Sequence, residues 1–94
     1  MRKIEENMRN AVKVRENWQQ DNTAVRFVES QVIGAGRVEL HGNPIAIIMD
    51  DGSLRLNTSV VRQWPTKTTA SRLRALGFPV SIKKGKLAIN GREL

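Results

Sequence analysis

The sequence predicts an α+β fold: an N-terminal helix, an antiparallel β-meander, a second short helix and a C-terminal β-hairpin. Three observations predict it. Apolar residues recur at helical spacing over residues 4–18, strand-like alternation replaces that pattern over residues 23–57, and a helix signal over residues 68–76 precedes a short hairpin signal. A chain of 94 residues is near the lower end of what folds around one core, so we expect a single domain over residues 1–94.

The first helix is predicted from an apolar face at helical spacing with charged residues opposite. That face is formed by Ile4, Met8, Ala11 and Trp18. Arg15 falls inside the apolar stripe. Either its aliphatic stem passes Trp18 and carries the guanidinium to water, or it marks contact with a partner; we favour the first.

The meander is predicted as four strands separated by glycine-containing turns. The strands cover residues 24–33, 37–41, 45–49 and 53–57, and the turns fall at residues 34–36, 42–43 and 51–52. The turns at residues 42–43 and 51–52 both place apolar residues on the same face of the sheet, as a meander with one buried face requires. The predicted pairs are Leu40 with Ile45, Val38 with Ile47, Met49 with Leu54 and Ile47 with Leu56. Ala46 and Ile48 then lie on the other face, which leaves room for a helix or a self-interface.

The C-terminal third is predicted as a helix followed by a hairpin. A short apolar segment that is helical or extended, residues 60–64, ends at Pro65. The helix over residues 68–76 takes Thr66 or Thr68 as its N-cap and ends before Gly77. A turn at residues 84–85 pairs Ile82 with Leu87 and Val80 with Ile89.

Composition favours a soluble intracellular protein. The chain contains no cysteine, which excludes disulfides and thiolate metal sites. Its longest apolar run, residues 45–49, is too short to span a bilayer, and the N-terminus lacks a secretory signal pattern. We therefore expect localisation in a cytoplasm and no membrane partner.

Positive charge is concentrated in the last third of the chain. The net charge is +7, and residues 1–61 carry eight basic and eight acidic side chains. Residues 62–94 carry Glu93 against eight cations: Arg62, Lys67, Arg72, Arg74, Lys83, Lys84, Lys86 and Arg92. Such asymmetry indicates attraction to a polyanion or to an acidic protein surface, although a merely solubilising surface is an equal alternative for charge alone.

The helix and the hairpin predict how these cations are displayed. Lys67 and Arg74 lie along one edge of the buried arc of the helix, and Arg72 projects on its other side. Lys83 and Lys86 face each other across the hairpin, with Lys84 at its tip. Opposed like charges cost up to about 1 kcal/mol, so this arrangement is a weak indication of binding.

Catalytic chemistry finds little support. His41 is the only histidine and is predicted at a turn, and Asp51 is explained by its turn, which leaves Asp50 in the ladder. The glycines of residues 34–36 lack the spacing of a phosphate-binding fingerprint. We therefore predict that the protein is not an enzyme and has no metal site and no cofactor.

Phosphate is the commonest partner of such a basic segment. Single-strand binders also stack bases on aromatic residues. Here Trp64 is the one fair stacking candidate, and a core or interface role is favoured for it. Sequence-specific readout is not expected, because no recognised nucleic-acid-binding motif is present.

Several segments resemble a group of small bacteriophage and prophage accessory proteins. They are the helix ending in Asn17-Trp18, then Asp21-Asn22-Thr23, Leu40-His41-Gly42-Asn43-Pro44-Ile45-Ala46, Trp64-Pro65-Thr66 with Thr68-Thr69, and residues 71–77. The resemblance covers most of the chain and implies a phage protein that acts by stoichiometric binding to host machinery. Inhibition of a CRISPR surveillance complex is one such role.

Three hypotheses follow for the function. The leading one is an anti-CRISPR or other anti-defence inhibitor that docks on a host ribonucleoprotein or nucleic-acid-processing complex. In it the eight C-terminal cations contact RNA, DNA or acidic protein. The second is a basic nucleic-acid-binding protein with little sequence preference, and the third is an assembly protein, monomeric or homodimeric.

Overall fold

The computed structural model describes residues 2–27 and 36–94, and it confirms the α+β architecture. In the described residues the helices are α1 Lys3–Val14, α2 Thr58–Val61 and α3 Lys67–Ala75. The strands are β1 Trp18–Gln20, β2 Thr23–Phe27, β3 Gly36–Leu40, β4 Asn43–Ile48, β5 Leu54–Leu56, β6 Val80–Lys83, β7 Lys86–Ile89 and β8 Arg92–Glu93.

The strands form two antiparallel sheets. The first sheet has five strands in the order β1-β2-β3-β4-β5, and the second has three in the order β6-β7-β8. Val25, Val38 and Ala46 lie side by side across the first sheet, and all three are fully buried. One apolar core joins this face to side chains of the three helices and the second sheet, among them Met8, Val61, Leu73, Val80 and Leu87.

The predicted first helix is too long at its C-terminal end. Arg15 adopts a left-handed conformation with φ of 57°, which terminates α1, and its guanidinium lies 4.9 Å from the centre of the Phe27 ring. Trp18 belongs to β1 and pairs with Val25. The prediction was wrong because a strand residue that faces the core can fall on the helical period by chance.

Both predicted registers in the meander were wrong. The turn between β3 and β4 is His41-Gly42, so that Leu40 pairs with Asn43, and a bulge at residues 38–39 then pairs Val38 with Ala46. After β4, Ile48 pairs with Leu54 across a five-residue loop, and Asp51 accepts hydrogen bonds from the backbone and side chain of Ser53.

This correction reverses the predicted faces of β4. Ala46 and Ile48 are fully buried in the core, and Ile47 lies on the other side of the sheet. A shift of one residue exchanges the two faces of a strand. Ala46 and Ile48 are therefore not available as a self-interface.

The predicted strand over residues 24–33 is observed up to Phe27, and residues 28–33 lie outside the described residues. Of the predicted turn at residues 34–36, Gly34 and Ala35 also lie outside them, whereas Gly36 is the first residue of β3 and pairs with Phe27. The glycine allows the Phe27 ring to lie against the backbone, because a Cβ there would approach Cε1 of Phe27 to 2.7 Å.

The C-terminal predictions are confirmed. Thr66 is the N-cap of α3, Gly77 follows the helix with φ of 101°, and Lys84-Gly85 is a two-residue turn. Ile82 pairs with Leu87 and Val80 with Ile89, as predicted. The sequence analysis missed β8, which follows the Asn90-Gly91 turn, although this dipeptide is a strong hairpin signal.

Candidate functional site

The N-cap at Thr66 sets the rotation of α3. Its hydroxyl accepts a hydrogen bond from the backbone N–H of Thr69 at 3.1 Å, which satisfies a donor that the first helical turn leaves free. From that start Ala70 and Leu73 turn into the core. Lys67 and Arg74 remain exposed, as predicted for both.

Arg72 is buried, and its predicted place in the exposed cationic strip is wrong. Its side chain is 5% exposed, and Nη1 donates to Oε2 of Glu5 in α1 at 2.8 Å. Its Nε donates to the hydroxyl of Thr23 at 2.9 Å, and Ser71 donates to the same carboxylate oxygen of Glu5. The prediction failed because α3 is covered on two sides, and the side next to its apolar arc faces α1.

The electrostatics of this cluster are balanced internally. Burial raises the pKa of Glu5, but hydrogen bonds from Ser71 and Arg72 and the charge of Arg72 outweigh it and hold the pKa below its ordinary value of 4.5. Arg72 is therefore neutralised by the protein's own carboxylate, and it is not part of the surface available to a partner.

Arg74 is exposed but has a structural contact. Its Nη1 donates to the carbonyl oxygen of Val80 at 3.1 Å, which ties α3 to the first residue of β6. A guanidinium carries five N–H donors, so the remaining donors can still reach an external anion. Arg74 thus connects the helix to the hairpin that carries the lysines.

The hairpin displays three lysines around one turn. Lys83 and Lys86 are directly paired and exposed, as predicted. The turn residues Lys84 and Gly85 have φ of 50° and 76°, the type I′ geometry that favours asparagine at the first position. The ammonium of Lys83 lies on the side of Gly91, 3.5 Å from where a Cβ at that glycine would lie.

Arg62 and Lys86 are brought together from distant parts of the sequence. Both line a groove of about 200 Å³ together with Pro65, Leu87, Glu93 and Leu94. Lys86 Nζ lies 3.6 Å from an Oε1 of Glu93, with both side chains about two-thirds exposed. An exposed pair of this kind contributes little to stability, so Lys86 can exchange this contact for another anion.

The remaining member of the predicted set, Arg92, is exposed in β8. It pairs with Ile89 and therefore projects from the sheet face opposite to that of Lys83 and Lys86. The structure thus brings together the hairpin lysines and Arg62, and it leaves Arg92 on the other sheet face. Lys67 and Arg74 are displayed from α3.

A second groove was not predicted. It has a volume of about 240 Å³ and mostly apolar walls, and it lies between the turn after β3 and the segment that leads into α3. Its lining residues are Leu40, His41, Asn43, Ile45, Trp64, Thr66, Thr68 and Thr69. Trp64 is 46% exposed, so it is not a core residue. These residues fall within the segments that carried the sequence resemblance.

Sequence reasoning also missed a row of arginines across the first sheet. Four neighbouring strands contribute one residue each to this row. Arg26 pairs with Arg37, Arg37 pairs with Ile47, and Ile47 pairs with Arg55. Glu39 forms ion pairs with Arg26 and Arg37. Burial raises the pKa of Glu39, but the hydrogen bonds from these two arginines outweigh it and the pKa is lowered. The sequence signal that could have predicted this row is the alternation of the strands, which places arginines of neighbouring strands on the same face.

Residues 2–27 and 36–94 contain no group of three or more potential metal ligands. Over the same residues, no helix is long and apolar enough to cross a membrane.

The fold and these surfaces define a small α+β protein with a cationic hairpin and two grooves, one of which the hairpin helps to form. The entire chain, residues 1–94, matches the family described as Kyanoviridae Gp96 protein, and it belongs to this phage protein family. The resemblance to small phage proteins is confirmed at that level. Searches of curated proteins and of solved structures found no significant match.

Proposed function

We propose that this phage protein acts by stoichiometric binding to a host nucleic-acid-handling complex in the host cytoplasm, through the cations of its C-terminal third. The observation that carries the proposal is the hairpin turn, where Lys83, Lys84 and Lys86 are exposed together. Two of them oppose each other and the third occupies a left-handed position, and each arrangement costs stability. Local conflicts of this kind concentrate at functional sites.

The charges around the hairpin support an anionic partner. Arg62 and Lys86 line the same groove with Pro65, and Arg74 reaches β6 from α3. Glu93 is the one carboxylate of residues 62–94 and is exposed beside Lys86. Fields of one sign attract a polyanion and accelerate its association.

The specific form of the proposal is an anti-CRISPR or other anti-defence inhibitor that docks on a ribonucleoprotein. In that form the lysines contact the guide RNA or an acidic surface, and the protein acts by occupancy rather than by turnover. Titration of the purified target should then reach full inhibition at equimolar protein. Full inhibition at a small fraction of that amount would contradict occupancy and indicate an enzyme.

The test compares two charge-matched variants. Lys83→Glu with Lys86→Glu changes the hairpin, and Lys3→Glu with Lys13→Glu changes exposed lysines of α1. Both pairs remove the same net charge. Immobilised proteins are used to capture complexes from a lysate of the host, with and without nuclease treatment.

We expect the hairpin variant to capture at least about tenfold less of the nucleic-acid-containing complex, because repulsion replaces attraction at the contact. The α1 variant should capture as much as the wild-type protein. Equal capture by the two variants would contradict the proposal.

A second candidate function is direct binding to a nucleic-acid backbone with little sequence preference. The observation that favours it is the exposure of Trp64, which directly precedes Pro65 of the groove that contains Arg62 and Lys86. Single-strand binders combine stacking with cations. Affinity for naked nucleic acid should then fall with salt, with a log–log slope of about −0.7 to −0.9 per neutralised phosphate. An inhibitor specific for a protein complex should bind naked nucleic acid poorly.

A further inference from the structure

The groove at Trp64 has the composition of a base-binding site, and we infer that it holds one base of a single-stranded nucleic acid stacked on the Trp64 indole. The inference rests on the second candidate function, direct binding to a nucleic acid, because it identifies nucleic acid as the anionic partner. It concerns different residues from the hairpin lysines, so the two can be tested separately.

The first argument is the exposure of Trp64. The side chain is 46% exposed, whereas Trp18, the other tryptophan, packs against the core. Leu40 and Ile45 are buried and form apolar walls in the same groove. A partly exposed indole that shares a groove with apolar side chains is suited to a flat aromatic ligand, and stacking is available to every base.

The second argument is the polar groups of the groove. Asn43 carries an amide that can both donate and accept hydrogen bonds, and the Thr68 hydroxyl can do the same. His41 lines the groove from the turn, with φ of 52° and its backbone N–H donated to the carbonyl of Asn22. Groups that donate and accept suit the edge of a base better than an aliphatic side chain.

The third argument is size. The groove encloses about 240 Å³, below the range of about 300 to 1,000 Å³ that accommodates drug-sized ligands. It therefore fits one flat group rather than a helix or a length of peptide. A base attached to a chain of phosphates needs only such a site, because the backbone runs outside it.

The fourth argument is charge. No residue that lines the groove at Trp64 carries a carboxylate, since every one of them is neutral or is His41. Lys67 is exposed between the lining residues Thr66 and Thr68. Pro65 lies between Trp64 and Thr66 in the sequence and lines the groove that contains Arg62 and Lys86. Phosphates joined through the sugar to the stacked base are complementary to the cations of this segment.

The test uses the fluorescence of Trp64 alone. Trp18→Phe leaves Trp64 as the only tryptophan. This protein is titrated with an oligothymidylate and with an abasic oligodeoxynucleotide of the same length, which has the phosphates without the bases. We expect the oligothymidylate to quench Trp64 and to bind about 5- to 150-fold more tightly than the abasic strand, the range for one stacked base.

A substitution at the site completes the design. With affinity measured by the anisotropy of a fluorescein label on each strand, Trp64→Leu should lower the affinity for the oligothymidylate to that for the abasic strand and leave the abasic affinity unchanged. Because Trp64 is half exposed, the variant should fold, which circular dichroism checks. Equal affinity for the two strands in the Trp18→Phe protein, or unchanged oligothymidylate affinity in Trp64→Leu, would overturn the inference.

Other occupants give distinct contrary results. If Trp64→Leu fails to capture the host complex from a nuclease-treated lysate while its affinity for the oligothymidylate is unchanged, the groove binds an apolar side chain of a partner protein. A dimer in light scattering that Trp64→Leu converts to monomer, with affinity again unchanged, would assign it to a second copy.

The hairpin variant Lys83→Glu, Lys86→Glu separates this inference from the proposed function. We expect it to lower the affinities for the oligothymidylate and for the abasic strand by the same factor, so that the preference for bases persists. If it lowers neither affinity while the preference persists, the lysine contact is wrong and the base site stands.

Discussion

The guanidinium of Arg72 in α3 and the carboxylate of Glu5 in α1 form a buried ion pair, with Nη1 and Oε2 2.8 Å apart and each side chain 5% exposed. The pair joins residues that are 67 positions apart. Arg72 also donates a hydrogen bond to the hydroxyl of Thr23, and the hydroxyl of Ser71 donates one to the carboxylate of Glu5. A cation of the basic C-terminal segment therefore holds the helices together instead of facing a partner.

Removal of either member should be strongly destabilising. Glu5→Ala leaves the Arg72 charge buried without compensation, which costs about 3–5 kcal/mol. That is a large fraction of the roughly 5–14 kcal/mol expected for a chain of this length. Urea denaturation measures the change. The double variant Glu5→Leu, Arg72→Met should lose less than the sum of the losses in the single variants Glu5→Leu and Arg72→Met, and additivity would contradict the pairing.

Acid should destabilise the protein through Glu5 and Glu39. Burial raises the pKa of each carboxyl, but hydrogen bonds and adjacent arginines outweigh it, and each folded pKa lies below the ordinary value of 4.5. The unfolded state then binds more protons, so this stability is present above about pH 4.5 and is lost as the pH falls through the folded pKa values.

Urea denaturation at a series of pH values from about 7 to 3 checks this dependence. Glu5→Gln should show a shallower loss of the free energy of unfolding, because one of the two carboxylates no longer titrates. A wild-type free energy of unfolding that does not change over this range would contradict the assignment.

Lys84→Asn should stabilise the protein and weaken its binding. Lys84 occupies the first position of a type I′ turn with φ of 50°, where asparagine is favoured, so the free energy of unfolding should rise by up to about 1 kcal/mol. Capture of the host complex should fall, because one hairpin cation is removed. Lys84→Gly is the control, since it relieves the same strain without the amide. Stabilisation with undiminished capture would exclude Lys84 from the contact.

Gly36→Ala should be destabilising even though the φ of Gly36 is not positive. The added Cβ would lie 2.7 Å from Cε1 of Phe27 and 2.9 Å from Cβ of Ile48, so the Phe27 ring must move and the pairing of β3 with β4 must shift. We expect a loss of about 1–3 kcal/mol in thermal or urea denaturation. Phe27→Leu in the same chain should recover part of it, and a neutral Gly36→Ala would contradict this packing.

Local signals were sufficient for the C-terminal third of the fold. The N-cap at Thr66, the terminating Gly77 and the Lys84-Gly85 turn each have a local physical cause, and each was predicted. The β4 faces were not predictable from residues 45–49, because an entirely apolar run fits either register and the bulge at residues 38–39 leaves no local signal.

The candidate site was predictable only in part. The exposed hairpin lysines follow from strand alternation and a two-residue turn. The burial of Arg72 depends on Glu5, and the groove at Trp64 depends on residues from β3 and β4. Contacts between distant segments carry no signal in a single sequence, so these features required the structure.

The central claim is that the C-terminal lysines meet the partner, and footprinting of lysine amines tests it most directly. The chain has six lysines: Lys3, Lys13, Lys67, Lys83, Lys84 and Lys86. The free protein and the protein bound to the captured host complex are acetylated briefly, and each lysine is quantified by mass spectrometry. We predict that Lys83, Lys84 and Lys86 are protected in the complex while Lys3 and Lys13 react as in the free protein. Protection of Lys3 and Lys13 with the hairpin lysines unprotected would contradict the claim.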